Sequence, residues 1–223
     1  MLNVVELRQY TLRPGRRDVL IDLFDREFVE SQEALGMEVI GQFRDLGDPD
    51  RFVWLRGFAD LPSRAAGLGA FYGGPVWRAH GAAANATMLD SDDVLLLRPA
   101  GRDTGFVLDA SVRDAPAESL VVATIHYLEG RAADFVDYFD AQLLPLLVAT
   151  GATPLARLVT EPADNNFPAL AIRTGENVFV WFASFADRDE HDRHVRRRTQ
   201  LAPRWPTRTE QLLLAPTPRS ILR

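Results

Sequence analysis

The chain repeats itself. Gly15, Asp22, Phe24, Asp25 and Gly36 recur as Gly130, Asp137, Phe139, Asp140 and Gly151, each 115 residues later. Phe52-Val53-Trp54 and Phe58-Ala59-Asp60 recur as Phe179-Val180-Trp181 and Phe185-Ala186-Asp187, 127 residues later. Leu95-Leu96-Leu97-Arg98-Pro99 returns as Leu212-Leu213-Leu214-Ala215-Pro216 at an offset of 117. Constant order with a drifting offset is the pattern of a tandem duplication modified in its loops, and it constrains the fold more than any single motif. Two units of about 100 residues are expected, near the commonest domain size: residues 1–105, a linker over 106–118 that contains Pro116, and residues 119–223.

Each unit carries the same succession of local signals. Val4 to Leu12 alternates as a strand, and Pro14-Gly15 breaks it. From Arg16 to Glu33 the apolar residues Val19, Leu20, Leu23, Phe24 and Phe28 form one helical stripe, closed by Gly36. Val39 to Arg44 and Phe52 to Phe58 read as a hairpin across Gly47-Asp48-Pro49-Asp50. Asp60 and Pro62 then start a second helix, helical sequence resumes after Gly73-Gly74-Pro75, and Val94 to Leu97 is a fourth strand. The second unit repeats this with strands at 120–128, 155–160, 179–185 and 212–214. Pro145 breaks its first helix, and Asp187 and Glu190 have capping-box spacing before its last. The connection before Phe179 is 12 residues longer than its counterpart. The order β-α-β-β-α-β is the ferredoxin-like unit. Its helices cover one sheet face, so two units can bury each other's bare faces. The expected fold is α+β: two tandem ferredoxin-like units forming an α/β barrel by sheet-to-sheet packing.

Composition excludes several chemistries. The chain has no cysteine and no lysine; all 25 basic residues are arginine. Thiolate nucleophiles, cysteine metal sites, lysine Schiff bases and a Walker-A loop are therefore absent. A net charge of −6 argues against nucleic-acid binding. No apolar run reaches membrane-spanning length and no secretory signal precedes the first strand, so a cytoplasmic protein is expected. Gly67-x-Gly69-x-x-x-Gly73 has the wrong spacing for a dinucleotide loop.

Glu6 to Gly15, Gly41-Gln42-Phe43-Arg44, Asp48 to Phe58, and Phe71-Tyr72-Gly73-Gly74-Pro75-Val76-Trp77 with His80 and Asn85 resemble the NIPSNAP family. Asn166-Phe167-Pro168 with Val178 to Phe182 is similar to the second repeat of its bacterial two-unit members. The resemblance implies the dimeric α/β-barrel fold and a poorly defined activity. Related barrels include cofactor-free monooxygenases and haem-handling enzymes, an analogy of fold alone.

Strand alternation sorts the polar side chains. Arg8 and Tyr10 share a face with Glu6, Gln42 with Arg44, and Trp54 with Arg56 and the flanking Phe52 and Phe58. If these faces coincide, they form a wall facing the opposite unit, matched there by Thr124, His126, Phe179 and Trp181. Val5, Leu7, Val53 and Leu55 would then face the helices. Such a wall suits an anionic or aromatic small molecule in the barrel lumen; an inter-sheet hydrogen-bond network accounts for the same residues. Tyr72, Trp77, His80 and Asn85 suggest a second possibility, a pocket between helices and sheet, although capping and packing use the same residue types. His191 and His194 share a helix face, but the neighbouring arginines disfavour a metal, and a solvated face is expected. Arg56 aligns with Ala183 and Arg98 with Ala215, so a site that uses them belongs to the first unit. The long connection around Asn165, Asn166 and Pro168 is expected to project and contact another chain.

The functional expectation is a small-molecule-binding protein with no metal, no cofactor, no nucleic-acid or membrane partner, and a homo-oligomeric state. The alternatives are a cofactor-independent monooxygenase or isomerase acting on an apolar or aromatic substrate, and a non-catalytic interaction module.

Overall fold

A computed structural model describes residues 2–113, 118–201 and 208–223; Pro116 of the expected linker lies outside them. The first unit runs β1 (Val4–Leu12), α1 (Arg17–Leu23), a π-helical turn (Phe24–Phe28), α2 (Val29–Glu33), β2 (Glu38–Asp45), β3 (Arg51–Phe58), α3 (Leu61–Tyr72), α4 (Pro75–Asn85) and β4 (Met88–Pro99). The second runs β5 (Leu120–Tyr127), α5 (Ala132–Tyr138), a second π turn (Phe139–Leu143), α6 (Leu144–Thr150), β6 (Ala156–Thr160), β7 (Val178–Phe185), α7 (Arg188–Leu201) and β8 (Thr209–Pro216). Both π turns start at the repeated Phe-Asp pair. What reads as one long helix in the first unit is therefore two helices joined by a wide turn, and in the second unit the break expected at Pro145 falls just before it, in the π turn. Gly36 and Gly151 end these helices with φ of +81° and +101°, values that a side chain at Cβ disfavours. Asp60 caps α3 by accepting from the Ser63 amide at 2.7 Å, and Asp187 caps α7 through the Glu190 amide at 2.7 Å.

The eight strands close into a barrel of order β1-β3-β2-β8-β5-β7-β6-β4. Within each unit the order is that of a ferredoxin-like sheet. The units also join edge to edge, β2 to β8 and β4 to β6, both antiparallel. These seams pair strand edges that would otherwise be open. The fold is thus two tandem ferredoxin-like units whose sheets enclose one core. None of the described helices is long and apolar enough to cross a membrane.

The lumen is filled with apolar side chains from both units. Val5, Leu7, Val53 and Leu55 meet Val121, Ile125, Val180 and Phe182 there, all essentially inaccessible. This reverses the expected facing: Val53 and Leu55 point inward. Glu6, Arg8, Tyr10, Gln42, Arg44, Trp54 and Arg56 lie on the helix-covered face of the first sheet, and Thr124, His126, Phe179 and Trp181 on that of the second. The reason is one of satisfaction. A closed lumen offers few hydrogen-bond partners, so it takes the more apolar face, on which Gln9 is a buried exception. Helices and their connections bring polar side chains to the other face, and buried charge persists only where such partners exist.

The fold predicts that residues 1–105 expressed alone self-associate, because the lumen face and the edges of β2 and β4 lose their cover. Light scattering would show dimers or larger species; a folded, dilution-stable monomer would contradict the shared core.

Candidate functional site

The first sheet carries a buried charge cluster centred on Glu6, which is fully inaccessible. Its Oε2 accepts from Arg8 Nη1 at 2.8 Å and from Arg56 Nε and Nη2 at 3.0 and 2.6 Å. Its Oε1 accepts from Arg64 Nε at 2.7 Å. β1 contributes Glu6 and Arg8, β3 contributes Arg56 opposite Glu6, and α3 lowers Arg64 onto them from above. Burial by itself raises the pKa of Glu6. The guanidinium groups of Arg56, Arg8 and Arg64 outweigh it and hold the carboxyl well below the usual carboxylate range. Among the described residues, the ion pairs of all three arginines end on Glu6. Three buried cations thus share one anion.

Neutral groups complete the cluster. Arg56 Nη1 donates to Gln32 Oε1 at 2.9 Å, and Gln32 Nε2 donates to the Phe28 carbonyl at 2.7 Å. The π turn thereby supplies the acceptor that orients Gln32. Arg8 Nε donates to the Tyr10 hydroxyl at 2.9 Å. Arg64 Nη1 donates to Oδ1 of Asn165 and of Asn166 at 3.1 and 2.6 Å. The arginines also lie under the aromatic rings: Arg56 is 4.9 Å from the Trp54 ring and Arg8 is 5.4 Å from that of Tyr10.

Above these rings a narrow cleft opens between the sheet and the first-unit helices. Tyr10, Trp54, Phe28, Phe71, Tyr72 and Trp77 are among its walls. About 20 Å³ of it can hold the centre of a water molecule, which is room for one or two waters. The rings meet mainly edge to face: Phe24 on Trp54 at 4.7 Å and Tyr72 on Trp77 at 4.7 Å. The polar groups in these walls are largely donors. Tyr10 uses its oxygen to accept from Arg8, and among the described residues its hydroxyl proton has no acceptor. Burial raises the Tyr10 pKa, against the opposing charge of Arg8, and keeps the phenol protonated. Trp54 Nε1 is buried without an acceptor among the described residues. No carboxylate or imidazole is among the described residues lining the cleft.

The expected site residues therefore divide. Tyr10, Trp54, Tyr72 and Trp77 line the cleft, and Arg8 and Arg56 lie beneath it. Gln42 is the buried cross-strand neighbour of Trp54, its side-chain amide unpartnered. Arg44 turns outward to Asp18 at 2.8 Å. His80 sits against Glu27 at 3.5 Å, and Asn85 is exposed at the end of α4 beside a shallow groove with Asp90 and Asp92. His126 and Trp181 belong to the second unit, where Trp181 Nε1 donates to His126 Nε2 at 3.4 Å. Arg98 is outside the cluster, near Glu161.

Arg64, Gln32 and the Asn165-Asn166 pair are additions that strand alternation could not find. Arg64 had a signal: it interrupts an apolar stripe with Leu68 and Phe71 at helical spacing. Among the described residues the second unit has no equivalent cluster, because Val122, Thr124 and Ala183 stand where the first has Glu6, Arg8 and Arg56. His191 and His194 are buried rather than solvated. They pack on Phe185 at 5.1 and 5.4 Å, and burial lowers the pKa of both. The described residues hold no cluster of three or more potential metal ligands.

Two predictions follow from this charge distribution. Glu6→Gln leaves three buried cations without their counter-ion, and should cost about 3–5 kcal/mol in denaturant unfolding; a loss within about 0.5 kcal/mol would contradict a cluster organised by Glu6. His126 is pushed down to about 4 from its ordinary 6.5, first by burial and then by Arg198. Between those values the unfolded chain takes up a proton that the native state does not, so stability falls as pH drops through this window and levels off below it. The stability difference between the natural protein and His126→Gln, followed from pH 8 to pH 3 (about five units), should show that step; a flat difference would mean that His126 titrates normally.

Comparison with known proteins fits this fold. A protein from Lactobacillus acidophilus, described provisionally as a monooxygenase, superposes with a TM-score of 0.58 at 11% identity, over 97% of this chain and 94% of its own. One from Fusobacterium nucleatum, described likewise, gives 0.59 at 8% identity over 96% and 92%. These identities establish a shared fold and nothing of activity. A NIPSNAP family protein from Agrobacterium tumefaciens is 25% identical over 43% of this chain and 91% of its own, with a TM-score of 0.40. No curated protein matches. Residues 5–101, which carry Glu6 and its three arginines, match the NIPSNAP family model, so the first unit is similar to that family.

Proposed function

We propose that the cleft of the first unit binds a small aromatic or apolar acid as its anion. The observation that carries this reading is the cluster of three buried arginines on a single carboxylate. A buried cation is costly without a counter-charge, and the cleft above the cluster is where an anion can supply one. The free donors of Tyr10 and Trp54 suit a carboxylate or another oxyanion. The aromatic walls suit a ring, presenting partly positive edges to negative charge. Because no carboxylate or imidazole is among the described residues lining the cleft, the arrangement favours a ligand that arrives already ionised over a substrate whose proton must be removed. This makes binding a better fit than isomerase or oxygenase chemistry.

Calorimetric titration with benzoate and its neutral isostere benzamide tests the reading. Benzoate should bind at least about tenfold more tightly, and Tyr10→Phe should weaken it by roughly 0.5–1.5 kcal/mol while leaving benzamide unchanged. Equal affinities, or no binding of either, would reject the cleft as an acid site.

A further inference from the structure

The connection between β6 and β7 does not project. It crosses β4 and lies on the first unit. Its backbone is tied at both ends: the Glu161 amide donates to the Leu96 carbonyl at 2.9 Å, and the Arg173 amide to the Val94 carbonyl at 2.8 Å. Between these anchors, among the described residues, no backbone hydrogen bond joins it to the first unit; side chains do that. Asn166 Nδ2 donates to the Leu61 carbonyl at 2.6 Å, and both asparagines accept from Arg64. Phe167, Leu170 and Ile172 pack, partly buried, against the first unit's aromatic core. The Phe167 ring stacks on Tyr72 at 6.2 Å with an interplanar angle of 28°, and Tyr72 is a wall of the cleft.

Resting on the reading of the cleft as an acid site, we propose that this segment of the second unit is the gate of that site, with Phe167 the residue that sets the size of acid admitted. The cleft holds little more than a water, so a ring enters only if a wall moves. The walls from β1, β3 and the first helices are fixed by buried packing and the Glu6 cluster. Tyr72 and Phe167 are only half-buried, and the segment carrying Phe167 is held between its anchors by side chains alone. Lifting Phe167 frees Tyr72 to swing without breaking a strand pairing. Asn165 and Asn166 meanwhile report to Arg64, so the gate is hydrogen-bonded to the same cluster that attracts the anion. The extra length of this connection, which has no counterpart in the first unit, thereby acquires a use on the other half of the molecule.

The test uses the full chain and Phe167→Ala, with circular dichroism establishing an unchanged fold. Without ligand, acrylamide should quench tryptophan fluorescence about twofold more strongly in the variant, as the cleft beside Trp77 opens, and the increase should vanish when Trp77→Phe is added. With ligand, the affinity of 2-naphthoate relative to benzoate should rise about tenfold, because a second ring can occupy the vacated space. Phe167→Leu, which restores apolar bulk, should return both readouts toward those of the natural protein. Unchanged quenching together with an unchanged naphthoate-to-benzoate ratio overturns the gate. If quenching rises but neither acid binds either protein, the gate stands and the acid-site reading falls.

Discussion

The contact on which the first unit depends is one carboxylate receiving hydrogen bonds from three buried guanidinium groups. Glu6 ties together β1, β3 and α3, since Arg8, Arg56 and Arg64 come from those elements and all three meet on its carboxylate. Such a cluster is not an efficient source of stability. Desolvating four charges costs several kcal/mol for each ion, and apolar residues of similar volume would often do as well. It also leaves positive charge in excess beneath a cleft whose free polar groups are donors. An arrangement poor for folding and suited to receiving an anion is the physical basis for assigning a function here.

The barrel makes the cluster possible by taking the hydrophobic burden elsewhere. Each sheet turns an apolar face into the shared lumen, and the seams between β2 and β8 and between β4 and β6 remove the open edges. With a core filled from both units, the opposite face of the first sheet is free to specialise under its own helices. The second sheet shows the alternative outcome. At the positions of Glu6, Arg8 and Arg56 it carries Val122, Thr124 and Ala183, and its helix-covered face packs as an aromatic core around Phe139, Phe179 and Trp181. Its contribution to the site comes instead from the long connection laid across its neighbour.

Much of this was legible in the residues. The repeat and the strand–helix order predicted two ferredoxin-like units, and alternation correctly grouped Arg8 with Tyr10 and Trp54 with Arg56. Alternation cannot say which group faces which layer. Both groups of side chains are buried, so the usual contrast between a dry face and a wet one is missing. The direction was set by partners that come from distant parts of the chain: Gln32 and Arg64 on helices, and Asn165 and Asn166 from the second unit. The histidines of α7 misled for a related reason. His191 and His194 sit in a run of arginines that reads as solvated, yet the helix turns both rings toward Phe185. The π turn at Phe24 gave no warning either, since the apolar stripe continues through it.

The central claim is that charge and ligand space lie between helices and sheet rather than in the barrel lumen. A crystal structure of the protein saturated with 4-bromobenzoate, with bromine located by anomalous scattering, tests it directly. The account predicts bromine among Phe28, Phe71 and Trp77, with the carboxylate toward Tyr10 and the Trp54 indole nitrogen. Bromine inside the lumen among Val53, Leu55 and Phe182, or a fully occupied site on the second unit alone, would contradict it.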